Sequence, residues 1–189
     1  MKSTRKQAAQ NRERILDVAA NLFREKGFDG VGVADVMKSA GLTHGGFYGH
    51  FASKEDLIAQ ASARALTDSL NHWKQICDNT EDAEPLSTIL SRYLSDNHRD
   101  SVGTGCAIAA LGPEVARQGT SVRHAVTQGT RALLDLLTGL VPGKSQAVKR
   151  EKALATYASM VGAMVLARAV DDAELSDEIL RAVSNSTSS

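Results

Sequence analysis

Helical spacing of apolar residues is the feature that most restricts the fold of this 189-residue chain. Between residues 10 and 26, apolar side chains recur three and four positions apart, which is the period of a helix buried along one face. The same spacing returns through the rest of the chain, whereas the alternation of a half-buried strand is almost absent. The three prolines, Pro85, Pro113 and Pro142, lie outside the long periodic segments. We therefore expect an all-α protein.

Glycine and serine residues set the expected helix limits. Gly27 and Gly41 suit the positions that end the first two helices. Ser53 is a good N-cap for a long fourth helix, and Asp56 stands three residues later, where a capping-box acid belongs. Predicted helices cover residues 10–26, 33–40, 43–51, 53–76, 85–97, 121–140, 147–170 and 175–183, with short broken helices between 103 and 118.

Charge is distributed unevenly along the chain, although Lys and Arg together equal Asp and Glu at 22 each. Residues 1–54 contain nine basic and five acidic side chains, and the remainder contains thirteen basic and seventeen acidic ones. A basic N-terminal part on an acidic body indicates that the first part binds phosphates. The alternative is a chance imbalance of a few charges.

Cysteine usage and hydropathy indicate the compartment. Cys77 and Cys106 do not form a C-x-x-C pair, and the polar first ten residues contain no apolar core of a signal peptide. No run approaches the 18 or so apolar residues of a membrane span. We expect a cytoplasmic protein without a membrane partner or structural disulfide.

Residues 28–57 hold two short predicted helices on either side of a tight turn at Gly41. This is the helix-turn-helix arrangement, in which the second helix enters the major groove and the first crosses the backbone. Gly45 and Gly46 each cost roughly 1 kcal/mol of helix stability relative to alanine. A helix that must approach DNA closely can use them, because glycine removes steric bulk. The alternative is that residues 43–51 form a loop.

A resemblance favours the DNA-binding interpretation. The pattern F-Y-x-H-F-x-x-K-x-x-L begins at Phe47, and Ile15, Phe23, Gly27 and Gly41 stand at matching positions before it. This segment resembles the N-terminal domain of TetR-family regulators over residues 8–68. The resemblance implies a helix-turn-helix DNA-binding domain at 8–68, a helical effector-binding and dimerisation domain at 69–184, and a polar tail at 185–189. The stretch GCAIAALGPEVARQ is similar to one seen in the C-terminal domain of one subgroup.

The resemblance also implies which residues contact DNA. They are Thr43, His44, Gly45, Gly46, Tyr48, His50 and Lys54. Thr43 would cap the recognition helix and bind a phosphate, and His44 and Gly45 would lie at the groove floor. Tyr48 would place its hydroxyl on a phosphate, His50 would lie near the backbone, and Lys54 would bind phosphate at a helix N-terminus. Phe47 and Phe51 are expected in the core.

Two features of the N-terminal part differ from or extend this pattern. Gly32 stands where the family often has Thr or Ser, which puts one usual phosphate contact in question. Arg5 and Lys6 form a basic arm that either reaches DNA or is disordered.

Specific DNA binding requires a dimer, because a single recognition helix makes too few contacts. A two-fold dimer places two such helices about 34–36 Å apart on a near-palindromic operator. Residues 147–170 are rich in small side chains that permit close helix approach, and Leu175, Ile179 and Val183 follow on the last helix. We expect a homodimer through these two helices, as in the family. The alternative is an ordinary buried intramolecular helix.

The body is expected to bind a small-molecule effector. The candidate pocket residues are Trp73, Tyr93, Met160 and Met164, with plain core as the alternative for each. Cys106 follows Gly103-Thr104-Gly105 and is expected to open a short helix, whose N-terminus would favour the thiolate, with Arg99 nearby. Cys106 is therefore a candidate redox or electrophile sensor. The alternative is a small buried apolar residue.

Other functional classes find less support. The chain has no G-x-S-x-G, H-E-x-x-H, P-loop or dinucleotide-binding glycine pattern, so we expect no enzyme and no cofactor. The five histidines lack ligand spacing, and no metal site is expected. A helical adaptor that binds another protein would leave the Tyr48–Lys54 pattern unexplained. The favoured function is a DNA-binding transcriptional regulator, by family default a repressor released by its effector.

Overall fold

The computed structural model describes residues 5–79 and 84–187, and within them every regular element is helical. The expectation of an all-α fold is confirmed. Two short 3-10 helices, His44–Gly49 and Val102–Thr104, accompany the α-helices. The α-helices are α1 (Arg5–Lys26), α2 (Val33–Ser39), α3 (Lys54–Asn79), α4 (Pro85–Tyr93), α5 (Asp96–Asp100), α6 (Ala107–Val115), α7 (Thr120–Leu140), α8 (Gln146–Ala169) and α9 (Ala173–Thr187).

The N-terminal part, from α1 to the start of α3, packs around the predicted stripe of α1. Ile15, Ala19 and Phe23 are buried along this stripe, and the Phe23 and Phe28 rings meet edge to face at 5.5 Å. Gly27 ends α1 with a φ of 76°, and Gly41 follows α2 with a φ of 68°. Because other residues adopt this left-handed conformation only at a cost, the two glycines fix where the chain turns.

Helix α3 continues from the N-terminal part into the body, where it packs closely against α7. A Cβ placed on Gly129 of α7 would lie 2.6 Å from the Cβ of Leu66. Glycine at this position therefore allows the two backbones to approach. The predicted domain boundary at residues 68 and 69 falls inside α3, so a continuous helix joins the two parts.

The structure corrects several expected helix limits. Helix α1 begins five residues earlier than expected, and the single helix expected over 85–97 is two helices separated at Ser95. Ser95 interrupts it because its hydroxyl donates to the Arg92 carbonyl at 2.8 Å and accepts the His98 N–H at 3.2 Å. Such local bonds compete with the helical ones. Residues 80–83, between the helices expected over 53–76 and 85–97, and residues 188–189 of the expected tail lie outside the described residues.

Candidate nucleic-acid interface and body cavity

The segment expected as a recognition helix is the 3-10 helix His44–Gly49, so neither the α-helix nor the loop is correct. The N–H of Gly46 donates to the Thr43 carbonyl at 3.0 Å, and that of His50 donates to the Phe47 carbonyl at 2.9 Å. Three of its six residues are glycines, whose low helix propensity disfavours a longer regular helix. Thr43 holds the N-cap position, but its side chain makes no capping hydrogen bond, contrary to expectation.

The aromatic residues of this segment divide between the core and the surface. Phe47 and Phe51 are buried, as expected, and their rings stack at 5.7 Å. Tyr48 is 73% exposed and rests edge to face on Phe47 at 5.2 Å. Thr43, His44, Gly45 and Gly46 are also exposed, and His50 is half-buried. The buried rings thus support a surface that displays Tyr48.

The glycines of this surface are not required by the fold of the chain. A Cβ on Gly45 or Gly49 would have no atom within 4 Å, and neither residue has a positive φ. A Cβ on Gly46 would make ordinary contacts at 3.7 Å with Met37 and at 3.8 Å with Thr43. Their effect is to leave the backbone accessible to another molecule from outside.

Lys54 is the first residue of α3 and is half-buried. The Ser53 hydroxyl accepts the N–H of Asp56 at 3.0 Å, as a capping residue does. The Asp56 carboxylate accepts the N–H of Ala52 at 3.0 Å and a bond from Gln60 at 2.7 Å, and these bonds lower its pKa. The predicted capping box is therefore present in shifted form, because Asp56 reaches Ala52 instead of Ser53.

The basic N-terminal residues belong to α1, and Gly32 is the N-cap of α2. Arg5 and Lys6 belong to the exposed first turn of α1, so they do not form a separate arm. Arg12 lies over the Phe51 ring at 5.2 Å and binds Gln60, which joins α1 to α3 behind the exposed surface. Gly32 precedes α2, and its N–H donates to the Asp35 carboxylate at 2.9 Å.

Comparison with known proteins identifies this N-terminal part. Residues 15–61 match the model of the family described as bacterial regulatory proteins, tetR family. HTH-type transcriptional regulators of Staphylococcus aureus, from strains USA300 and NCTC 8325, are 37% identical over 90 residues, which are 48% of this chain and 49% of theirs. This chain is therefore similar to TetR-family regulators over its N-terminal part. It spans about half the length of the curated relatives it matches.

Solved structures resemble the fold over nearly the whole chain. The reduced form of NemR from E. coli has a TM-score of 0.79 and 22% identity, over 94% of this chain and 95% of that one. A TetR-family regulator from Cytophaga hutchinsonii has a TM-score of 0.81 and 17% identity, over 99% and 97%. At these identities the likeness shows a shared fold: an N-terminal helix-turn-helix followed by a helical C-terminal domain.

The body of the chain contains a cavity of about 670 Å³ among α3, α4, α8 and the segment before α6. Trp73, Tyr93 and Tyr157 form its aromatic wall. The Trp73 ring lies edge to face with the Tyr93 ring at 6.4 Å and with the Tyr157 ring at 6.1 Å. Two of the four candidate pocket residues, Trp73 and Tyr93, line this cavity. Met160 and Met164 are fully buried and do not line it. Sequence reasoning missed Tyr157, because nothing in the sequence brings it near Tyr93.

Cys106 lies on the cavity wall at the N-cap of α6, where the sequence placed a helix start. Its N–H donates to Nε2 of His98 at 2.9 Å, while Nδ1 of His98 lies 2.6 Å from the Tyr93 carbonyl. These partners fix a neutral ring with its proton on Nδ1. Burial lowers the pKa of His98, against the raising effect of the Tyr93 carbonyl. Both ring nitrogens are thus engaged in structural bonds.

Arg99 does not assist Cys106, contrary to expectation. Its guanidinium is engaged by Asp177 at 2.6 Å and by Asp100 at 2.8 Å. Arg168 of α8 is the basic group that interacts electrostatically with both Cys106 and Tyr93. Arg168 is anchored by the carbonyls of His98 at 2.8 Å and Arg99 at 2.9 Å.

Two hydrogen bonds join the cavity region to the N-terminal part. Nε of Arg24 in α1 donates to the Gly103 carbonyl at 2.6 Å, close to the cavity wall. The carboxylate of Glu114 in α6 accepts the N–H of Phe28 at 2.7 Å, in the turn between α1 and α2. Helix α6 therefore contacts the cavity at its N-terminal end, and it contacts the N-terminal part of the chain near its C-terminal end.

The outer face of α8 combines small and large apolar side chains. Ala155, Ala158 and Ser159 are exposed, and Leu166 is 55% exposed. Leu154 at the middle of α8 and Leu175 on α9 are exposed as well. Of the small residues noted in this helix, Ala153, Ala163 and Ala167 face the core instead.

Within residues 5–79 and 84–187, no group of three or more His, Cys, Asp or Glu side chains could hold a metal ion. None of the described helices is both long and apolar enough to cross a membrane.

Proposed function

We propose that the chain is a homodimeric transcriptional repressor that binds a near-palindromic DNA operator and leaves it when a small molecule occupies the body cavity. The observation that carries this proposal is the exposed, glycine-rich 3-10 helix with Tyr48 displayed on buried aromatic rings. The segment lies inside the part that matches the TetR-family model and belongs to the basic portion of the chain.

The DNA-contacting residues of this proposal are Thr43, His44, Gly45, Gly46, Tyr48, His50 and Lys54. The Tyr48 hydroxyl and the Lys54 ammonium bind phosphates, which positions the protein without selecting sequence. His44 is exposed and able to donate or accept, so it is the side chain best suited to a base edge. Gly45 and Gly46 let the backbone approach the groove.

Fluorescence anisotropy with DNA from the region flanking the gene, across a salt series and with scrambled competitor, tests DNA binding. Tyr48→Phe is expected to weaken binding about tenfold or more, because a hydrogen bond to a charged oxygen is lost. Lys54→Ala is expected to reduce the salt slope by about 1 per protomer. Lys74→Ala, at an exposed position in the body, is the matched control and should change neither. Absence of binding even at low salt would favour the adaptor function.

The exposed face of α8, continued by Leu175 of α9, is the proposed dimer contact. Its small residues allow close approach of the partner's helices, and its leucines supply apolar area. Leu166→Asp places a charge in this contact and is expected to yield monomers in sedimentation velocity, with weaker DNA binding. Arg131→Asp, on the exposed face of α7, is the control. A dimer that survives Leu166→Asp would refute this assignment.

Helix α6 offers a route from the cavity to DNA. A ligand that displaces Cys106 at the N-terminal end of α6 also moves Glu114 near the other end. Because the Glu114 carboxylate accepts the Phe28 N–H in the turn before α2, this movement reaches α2. The effector lowers DNA affinity only to the extent that it binds the DNA-incompetent arrangement more tightly. Glu114→Ala is expected to reduce the effect of a bound ligand on DNA affinity, and an unchanged effect would argue against this route.

Reaction of Cys106 with an electrophile is a second candidate trigger, because its side chain lines the cavity. Iodoacetamide would alkylate the sulfur with loss of iodide and of the thiol proton. A Cys77→Ser background removes the other cysteine, and mass spectrometry measures modification. DNA affinity that falls with alkylation in this background, but not in Cys77→Ser with Cys106→Ser, supports the trigger. Unchanged affinity of the alkylated protein would refute it.

A further inference from the structure

Four hydrogen-bond donors lie near the N-terminal end of α6. They are the Tyr93 and Tyr157 hydroxyls, the Cys106 thiol and Nη1 of Arg168, and we call them the donor cluster. Within the described part of the chain, both hydroxyls and Nη1 are buried without a hydrogen-bond partner. Tyr93 and Tyr157 are each 6% exposed. Burial raises the pKa of both phenols, and the neighbouring Cys106 raises them further. The hydroxyls therefore lie beside the thiol as neutral donors.

The donor cluster lacks an acceptor. A thiol sulfur accepts hydrogen bonds only weakly, so Cys106 does not satisfy the two hydroxyls. Two strong acceptors beside Tyr93 and Cys106 are already engaged: Nε2 of His98 accepts the Cys106 N–H, and the Tyr93 carbonyl faces Nδ1 of His98. Buried donors without partners destabilise a folded protein by about 1–3 kcal/mol each. Several unpartnered donors that surround one point are typical of a site where an oxygen atom of a ligand accepts their hydrogen bonds.

The electrostatics of the donor cluster favour an oxygen with negative charge. Arg168 contributes a guanidinium held by two neutral carbonyls, and burial lowers its pKa without removing the charge at neutral pH. The carboxylate of Asp100, which also interacts with it, is bound to Arg99. The first turn of α6 adds the positive end of a nine-residue helix. Asp68, the acidic residue on the cavity wall, interacts with Arg24 and Arg64.

The cavity extends this site with an apolar, aromatic space. Tyr93, Tyr157 and Cys106 all line it, and Trp73, Ile76 and Ile89 form the adjoining wall. A volume of about 670 Å³ is in the range that small-molecule pockets have. The geometry points to an aromatic carboxylic acid as the ligand, with its carboxylate in the donor cluster and its ring against Trp73. This inference rests on the proposed function only for the consequence of binding, since the site can be tested without DNA.

Calorimetric titration of the full chain with 2-naphthoate and with 2-naphthamide tests the inference. The two probes have the same shape, but the amide is neutral and is expected to bind at least tenfold more weakly. Tyr157→Phe is expected to weaken naphthoate binding about tenfold, because one hydrogen bond to the carboxylate is lost. Met160→Leu, a buried position on the same helix outside the cavity wall, is the control and should leave affinity unchanged.

The melting temperature without ligand separates a binding role from a structural one. Tyr157→Phe removes a hydroxyl that has no partner in the free protein, so its melting temperature should equal or exceed that of the parent. Equal binding of acid and amide, or no naphthoate binding by protein that still binds DNA, would overturn the inference and leave the proposed function intact. Naphthoate binding that leaves DNA affinity unchanged would support the site and contradict release by this ligand.

Discussion

Replacing Gly45 with alanine is expected to make the folded chain more stable and its DNA complex weaker. A Cβ at this position meets no atom within 4 Å, and the backbone φ is not positive, so the free protein accommodates the methyl group. The proposed DNA interface does not, because Gly45 lies where the backbone must approach the groove. A single methyl group therefore has opposite effects on the two equilibria.

The gain in folding stability and the loss of DNA affinity each have an expected size. Alanine in place of glycine in a helical segment stabilises by about 0.5–1 kcal/mol, partly by restricting the unfolded chain. For a chain of this length, 1 kcal/mol raises the melting temperature by about 2–4 °C. Forcing a methyl group into a close-packed contact costs about 1–3 kcal/mol, which corresponds to a DNA affinity reduced about 5- to 150-fold.

Two other glycines provide matched controls for the melting and anisotropy measurements. Gly139 in α7 is exposed and equally free of neighbours, so Gly139→Ala should raise the melting temperature without changing DNA affinity. Gly41 has a φ of 68°, so Gly41→Ala should lower the melting temperature despite the open space around it. These variants separate a change in stability from a change in the interface.

If Gly45→Ala raises the melting temperature but leaves operator affinity unchanged, the backbone at Gly45 does not approach DNA. If the melting temperature falls, the space around Gly45 is already occupied in the free protein.

Three further predictions concern the fold. Gly129→Ala should lower the free energy of unfolding, measured in urea, by about 1–3 kcal/mol, because the new Cβ would lie 2.6 Å from Leu66. Equal stability of the variant and the parent would show that α3 and α7 separate easily. Glu114→Ala should cost about 1–3 kcal/mol by leaving the Phe28 N–H without a partner, and Glu114→Gln should cost less because it keeps an acceptor. The pKa of His98 is lowered from 6.5 by folding, so the unfolded chain takes up the proton first and stability should fall as pH decreases below about 6.5. In His98→Gln this acid-side loss should be smaller, and an identical pH profile would contradict the assignment.

The long helices could be predicted because their signals are local. An apolar residue every three or four positions specified α7 and α8 to within one residue at each end. Gly27 and Gly41 specified two turns, because only glycine adopts their positive φ at little cost. The interruption at Ser95 was missed, since the sequence does not show whether a serine hydroxyl will compete with the helical bonds around it.

The DNA-facing segment was only partly predictable. Phe47 and Phe51 were expected in the core and Tyr48 at the surface, and the structure agrees. The helix type depends on hydrogen bonds to residues three positions back, and a run with three glycines has no strong preference for them. Only the structure shows that Gly45 is unrestricted by neighbours, which is the fact on which its predicted effect depends.

The cavity depends on contacts that no local pattern contains. The sequence places Arg99 near Cys106, yet Arg99 binds Asp177, and Arg168 of α8 is the basic group that interacts with the thiol. Helix α8 therefore carries the buried donor atoms of Tyr157 and Arg168 on one side and the exposed Leu166 on another.

This arrangement has a consequence for the proposed dimer. A ligand that moves α8 from the inside also moves the face that binds the partner, and so changes the separation of the two DNA-binding parts. Spin labels at the exposed Lys38 of α2 in each protomer would measure this separation with and without 2-naphthoate. A distance that shifts in the parent and in Met160→Leu but not in Tyr157→Phe supports transmission through α8. A distance that stays fixed while naphthoate is bound would leave α6 as the route to the DNA-binding part.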